Sequence, residues 1–130
     1  MSRPIKFNVY DKKFKQYYLY EEAQKTGLIK SYFNGDTDVV MLQYIGLKDK
    51  NGREINEGDI LNFEIRGESH GPEREYIKNA PVWYSEEDCM FCFGRYKNDK
   101  YEYWYSFADE IDKNTIEIIG NIYQNSELLK

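Results

Sequence analysis

The chain has 130 residues, of which 41% are hydrophobic and 32% charged, and a net charge of -5, a composition typical of one soluble globular domain. It has no apolar run near the ~20 residues of a membrane-spanning helix and no signal-peptide core, so we expect a cytoplasmic protein with reduced thiols. Residues 1–30 carry seven Lys or Arg against three Asp or Glu, a balance of +4 that leaves -9 for residues 31–130. The acidic remainder argues against non-specific nucleic-acid binding, which depends on cationic contacts to phosphates.

The amino-terminal residues predict a β-hairpin. Apolar and polar side chains alternate over residues 4–10, which is the period of a half-buried strand. Residues 11–13 supply a turn, and residues 14–20 are expected to return as a second strand. The hairpin tip carries much of the basic charge of the chain, and a solvated turn explains that charge as well as a phosphate-binding patch does.

A short segment of mixed character follows the hairpin. Residues 21–26 have the composition of one or two helical turns, with Gly27 placed as a carboxyl-terminal stop. Residues 28–33 are predicted to form a short strand, and Asn34-Gly35-Asp36 is a turn signal. Together these elements predict an N-terminal hairpin lobe over residues 1–37.

Apolar runs and glycine turns occupy the centre of the chain. Residues 38–47 predict a largely buried strand that bulges or bends at an internal glycine. Asparagine followed by glycine at 51 and 52 is the strongest short-range hairpin signal, and a second glycine turn precedes a strand over residues 60–66. The predicted structural turn residues are Gly46, Asn51, Gly52, Glu57, Gly58 and Asp59.

The second half of the chain predicts one long loop and further strands. Glycines, prolines and charges over residues 67–81 predict a loop, and a strand is expected to begin at Val82. Residues 89–97 and 100–107 are predicted to pair as a hairpin across Asn98-Asp99. Residues 108–113 are predicted as a helical turn or loop, and residues 115–122 as the last strand.

Many short strands with glycine turns between them, and little helix, are typical of an all-β sandwich or small barrel. We therefore predict a single domain over residues 1–130. Its parts are the N-terminal hairpin lobe and a small barrel core over residues 38–125 that contains the loop at 67–81.

Two cysteines, Cys89 and Cys92, match the spacing C-x-x-C of redox and zinc sites. Their neighbours predict a strand, in which positions three apart lie ~10 Å from each other and on opposite faces. A disulfide needs α-carbons within ~7 Å, and no second cysteine pair is present to complete a zinc site. We expect two packed free thiols.

The sequence matches no other catalytic or ligand-binding motif. His70 is the only histidine, and no nucleophile can be tied to it from the sequence. Counting from Asp49, a calcium loop would need a ligand where Arg53 stands and glycine where Glu54 stands. No phosphate-binding glycine loop is present either. We therefore predict a non-enzymatic protein without catalytic residues, metal or cofactor.

A tyrosine-rich strand is the best candidate for a binding surface. Aromatic side chains on a sheet can fill the core, form an interface with a protein or a second subunit, or stack on nucleic-acid bases. The surrounding charge is only mildly basic, which disfavours nucleic acid. The candidate surface consists of Tyr96, Tyr101, Tyr103, Trp104 and Tyr105.

Three segments resemble the YopX-like proteins of phages and prophages. They cover residues 41–61, the opening at 5–13 and the carboxyl-terminal stretch 118–129. The resemblance implies a mostly β protein with an SH3-like barrel, encoded by a phage or prophage. The expected location is the cytoplasm of a bacterial host cell. It implies no biochemical activity and no catalytic residues. Residues 67–113 carry no motif of the family.

These observations predict a small SH3-like barrel with an additional N-terminal hairpin lobe and short helical turns at most. The predicted function is that of a non-catalytic module that binds another protein or associates with itself as a homo-oligomer. The aromatic hairpin and the first hairpin are the expected surfaces. The alternative is a nucleic-acid-binding barrel that uses the basic N-terminal hairpin and the tyrosine-rich strand. No membrane partner is expected.

Overall fold

A computed structural model describes residues 4–66, 74–97, 100–106 and 111–130, without the side chains of residues 66, 74–75, 95–97 and 100–106. The protein is mostly β, with two antiparallel sheets, of which one is a curled half-barrel, and two short α-helices. The prediction of an all-β fold built around a small barrel is confirmed. Within the described ranges, no helix combines the length and the apolar character needed to cross a membrane.

The first sheet has four strands in the order β2-β1-β3-β4. Its strands are β1 (Phe7–Asp11), β2 (Gln16–Tyr18), β3 (Val39–Lys48) and β4 (Glu54–Asn56). The Asp11 carboxylate accepts the backbone N–H of Lys13 at 3.0 Å, which closes the turn between β1 and β2. The register of β3 against β4 shifts between Tyr44 and Lys48, and Gly46 in this interval has a φ of +94°. The strand therefore bulges at Gly46.

Two short helices, α1 (Tyr20–Ala23) and α2 (Leu28–Phe33), follow β2. The predicted strand over residues 28–33 is therefore wrong. Its apolar residues recur at helical spacing, since Ile29 and Phe33 lie four apart, and the Thr26 hydroxyl accepts the N–H of Leu28 at 3.2 Å. The helices cover a small core made by Val9, Ala23 and Val39.

The second sheet has five strands in the order β8-β7-β6-β5-β9. They are β5 (Asp59–Arg66), β6 (Arg74–Ser85), β7 (Met90–Lys97), β8 (Lys100–Ser106) and β9 (Ile111–Asn121). The predicted helical turn or loop at 108–113 is corrected for residues 111–113, because β9 already begins at Ile111. Residues 107–110 lie outside the described part. A short 3₁₀-helix over Ser126–Leu129 ends the chain.

The predicted loop over residues 67–81 is also corrected, because β6 begins at Arg74 and pairs with β5. Ile77 lies opposite Phe63 and is buried, so this segment belongs to the core despite its polar composition. The register shifts near Asn79, whose N–H donates to the side chain of Asn62 at 3.0 Å and whose φ is +56°. Such an irregularity makes room for Pro81 within a strand. Residues 67–73 lie outside the described part.

The larger core lies on the five-stranded sheet. The rings of Phe63 and Phe93 meet edge to face with centroids 4.6 Å apart, and both are fully buried. Ile55 from β4 joins the same cluster, while Ile45 and Leu47 of β3 pack against it. Strand β3 also pairs with β1, so it connects the hairpin at the amino terminus to the larger core. The division at residue 37 stays a prediction.

Candidate functional site

The predicted turn residues, together with Asp49, form the two turns that flank β4. Gly52 and Gly58 have φ angles of +80° and +83°, the left-handed region that favours glycine. Asp49 accepts the N–H groups of Asn51 and Arg53, each at 2.9 Å, with one carboxylate oxygen. Its other oxygen accepts the N–H of Ile118 at 3.1 Å, so one side chain fastens the turn to β9. Burial raises the pKa of Asp49, but the three backbone donors outweigh burial and lower it overall.

Asp59 is a buried carboxyl group at the start of β5. Its Oδ2 accepts the N–H of Asn56 at 2.8 Å, which closes the second glycine turn. Burial raises the pKa of Asp59 to about 7, although the Asn56 hydrogen bond and the charge of Arg53 both act to lower it. Burial, followed by the nearby Asp59 charge, raises the pKa of Tyr17 to about 12. The carboxyl group of Asp59 therefore has a structural role, because it closes the turn.

The five residues of the predicted aromatic surface lie in the β7–β8 hairpin. Their positions in the ladder place Tyr101 opposite Tyr96, Tyr103 opposite Arg95, Trp104 opposite Gly94, and Tyr105 opposite Phe93. The pairing confirms the predicted hairpin between these two strands. The side chains of all five residues lie outside the described ones, so the binding surface stays a prediction.

The two cysteines differ in solvent exposure. Cys92 is fully buried, whereas Cys89 is exposed in the turn before β7, where its φ is +53°. Both are free thiols, and the prediction of packed cysteines is correct for Cys92 and wrong for Cys89. The turn ends at Cys89, so the strand that was expected to bury it begins one residue later. His70 lies outside the described residues, within which no group of three or more metal-ligating side chains occurs.

An open apolar groove lies between the two helices and the first sheet. Its volume is about 590 Å³, and it is open to solvent. Residues of the two helices and of the segment between them form one wall, and residues just before and at the start of β1, with one residue of β3, form the other. The lining residues are Ile5, Phe7, Tyr20, Gln24, Thr26, Ile29, Lys30, Phe33 and Met41. We call this site the N-terminal groove.

The rim of the N-terminal groove exposes large apolar side chains. Phe33 is 73% exposed and Ile5 is 66% exposed. Tyr32 lies beside the groove, 42% exposed, and its ring meets the ring of Phe33 edge to face with centroids 5.4 Å apart. Contiguous exposed apolar surface of this kind marks interaction sites in soluble proteins.

The sequence pattern alone does not reveal this groove, because it predicts a strand over residues 28–33, where the structure has a helix. The signal that could have found it is the spacing of Ile29 and Phe33, which puts both side chains on one side of a helical turn. The contributions of Ile5 and Met41 depend on the pairing of β1 with β3 and have no local signature.

The fold and the groove define a small, mostly β protein with an apolar site walled by two short helices. The family model described as YopX protein matches residues 5–130. Since the match covers nearly the whole chain, the chain belongs to the YopX family, and the resemblance seen in the sequence is confirmed.

The chain is also similar to a solved structure, the crystal structure of protein EF1440 from Enterococcus faecalis. The two share 22% sequence identity with a TM-score of 0.58, over 99% of this chain and 100% of that one. At this identity the likeness shows the fold alone. No curated protein matches the chain.

Proposed function

We propose that this protein is a non-catalytic binding module that holds a segment of another protein in the N-terminal groove. The groove itself is the observation that carries the proposal, because it combines an apolar floor with large exposed side chains on the rim. Burial of such side chains by a partner is favourable by roughly 25 cal/mol per Å² of apolar surface.

The distribution of exposed apolar side chains supports this site. Within the described residues, the amino-terminal part of the chain contributes most of the large exposed ones. They are Ile5, Tyr32 and Phe33 in or beside the groove, and Phe14 and Leu19 outside its lining, against Tyr76, Tyr84 and Met90 in the second sheet. Aromatic anchors of this type dominate the energetics of protein interfaces.

Site-directed photo-crosslinking in living cells tests the proposal. A benzophenone amino acid at position 33 should yield a defined adduct, whereas the same group at position 14 should not. Phe14 is a matched control, because it is 68% exposed but does not line the groove. The captured protein, once purified, should bind the Phe33→Ser variant at least about tenfold more weakly than the Phe14→Ser variant. Identical adducts from both positions would contradict the proposal.

Self-association through the β7–β8 hairpin is a second candidate. Four aromatic residues lie in β8, and within the described residues β8 pairs with β7 alone. A strand at the edge of a sheet offers unpaired backbone groups to a second strand. Light scattering after size-exclusion chromatography should then show a dimer or larger oligomer whose fraction rises with concentration. A monomer throughout would remove this candidate.

Nucleic-acid binding through the first hairpin is the third candidate. Lys12, Lys13 and Lys15 are exposed in the turn, next to the exposed ring of Phe14. Binding of this type should weaken steeply as salt rises, because cationic contacts release counterions. Labelled single- and double-stranded oligonucleotides at low salt provide the measurement, and unchanged mobility of both would exclude this function.

We also propose a phage or prophage origin and a cytoplasmic location in the bacterial host, which membership in the YopX family supports. The genes that flank the coding sequence provide the check on origin. Neighbouring genes for phage structural or replication proteins are expected, and a conserved housekeeping operon would contradict the proposed origin. Cell fractionation checks the location, and recovery in the membrane or secreted fraction would contradict it.

A further inference from the structure

The N-terminal groove has an almost uncharged wall. Of its nine described lining residues, six are apolar or aromatic, Gln24 and Thr26 are neutral and polar, and Lys30 carries the only charge among them. Lys30 is exposed and has no ion-pair partner among the described residues. By contrast, Lys6 pairs with Glu54 and Lys50 pairs with Glu117, each at 3.2 Å. The ammonium group at the groove is therefore available to a partner.

From this arrangement we infer that the bound segment is acidic and amphipathic, with apolar side chains in the groove and a carboxylate beside Lys30. The inference rests on the proposed function and specifies its partner. A neutral or basic segment would cover Lys30 without compensating its charge, and the loss of hydration of an unpaired charge is unfavourable. A carboxylate compensates that loss with a charge-assisted hydrogen bond.

The dimensions of the apolar surface favour a protein segment over a small molecule. A compact ligand inside the groove would contact Phe33 and Ile5 but would leave Tyr32 uncovered, because Tyr32 lies beside the groove and does not line it. A helix or extended segment reaches across the rim and covers all three.

A matched pair of labelled peptides tests the inference by fluorescence anisotropy at low salt. Both peptides are about 15 residues long and repeat leucine at helical spacing, and they differ in carrying glutamates or lysines at the flanking positions. The glutamate peptide should bind the full chain about two- to fivefold more tightly, the range of an exposed ion pair. Both peptides should lose affinity for Phe33→Ser but not for Phe14→Ser.

Charge reversal at Lys30 provides the decisive variant. Lys30→Glu should reverse the preference, so that the lysine peptide binds more tightly. Lys15→Glu makes the same change in net charge at an exposed position outside the groove and should leave the preference intact. Because both sites are exposed, both variants are expected to fold, which circular dichroism will verify.

The outcomes separate the inference from the proposed function. If both peptides bind equally and both require Phe33, the groove is a binding site but the acidic partner is wrong. If a cellular partner crosslinks at position 33 but neither peptide binds, the inference is overturned and the proposed function stands. A dimer in light scattering that Phe33→Ser dissociates would identify the occupant as a second copy and also overturn the inference.

Discussion

The ring of Tyr10 stacks on the ring of Tyr123, with centroids 4.3 Å apart and planes inclined by 23°. Tyr10 belongs to β1 in the first sheet, and Tyr123 follows β9 of the second sheet. The backbone N–H of Ile122 donates to the carbonyl oxygen of Gly58 at 2.8 Å, which holds the residue before Tyr123 against the second glycine turn. One aromatic contact thus links the hairpin at the amino terminus to the end of the chain.

We predict that Tyr10→Ala lowers the free energy of unfolding by about 2 kcal/mol, because the stacked pair loses both its buried area and its ring contact. Chemical denaturation of Tyr10→Ala, Tyr123→Ala and the double variant measures the coupling between the rings. The expected coupling is about 1 kcal/mol. Strictly additive effects would show that the two rings contribute independently.

The raised pKa of Asp59 predicts a stability that falls with rising pH. Its folded pKa of about 7 exceeds the ordinary value of 3.8, so the native state binds the proton more strongly than the unfolded chain between these two values. The contribution of this group is full below pH 4 and is lost as the pH rises through 7. Asp59→Asn can still accept the hydrogen bond from Asn56 and should reduce this loss.

Urea denaturation of the wild type and Asp59→Asn at pH 5 and pH 8 checks this expectation. The variant should gain stability relative to the wild type at pH 8 more than at pH 5. Burial also raises the pKa of Glu57, so Glu57→Gln is needed to separate the contribution of that neighbouring carboxylate. An equal difference at both pH values would refute the role assigned to Asp59.

The lowered pKa of Asp49 predicts a stability that falls as the pH decreases, opposite to the effect of Asp59. Its folded pKa lies below 3.8, so its contribution is present above that value and is lost as the pH falls through the folded pKa. Asp49→Ala should destabilise the protein at pH 7 by about 3 kcal/mol, because three backbone N–H groups lose their acceptor. The measurement is urea denaturation of the wild type and Asp49→Ala at pH 7 and pH 3. If the variant loses as much unfolding free energy at pH 3 as at pH 7, the predicted pH dependence is wrong.

Gly58 and Gly27 form a matched pair for a test of backbone strain. An added Cβ at Gly58 would meet its neighbours at ordinary distances of 3.5 Å and more, so the φ of +83° is the obstacle to a side chain. Gly58→Ala should therefore cost about 1–2 kcal/mol of stability. Gly27 has a φ of -85° and open space around it, so Gly27→Ala should stay within about 0.5 kcal/mol of the wild type. Thermal unfolding of both variants provides the comparison.

The cysteines predict a simple labelling pattern. Cys89 is exposed and should react rapidly with a thiol reagent in the native protein, whereas Cys92 is fully buried and burial raises the pKa of its thiol. We expect one reactive thiol in native buffer and two in denaturant. The Cys89→Ser variant should show none in native buffer, and rapid labelling of Cys92 there would contradict its burial.

Strong local signals correctly predicted the first strand and the central glycine turns. The alternation around Phe7 and Val9, and the glycine turns at Gly52 and Gly58, act through backbone geometry that a few neighbouring residues determine. The prediction of a loop over residues 67–81 is wrong where the polar composition of the segment indicates a loop but the tertiary packing makes it a strand. Residues 74–81 are mostly polar, yet they pair with β5, where Ile77 lies opposite Phe63 and Ala80 lies opposite Leu61.

The sequence by itself determined the family, the all-β class and the position of the glycine turns, because these depend on residue order and local backbone preference. The tertiary structure alone decided the N-terminal groove and the burial of Asp59. Ile5, Phe33 and Met41 are far apart in the chain and become neighbours only when β1 pairs with β3 and α2 packs beside them. Likewise, the proton affinity of Asp59 follows from the water that the surrounding fold excludes, which no neighbouring residue in the sequence reveals.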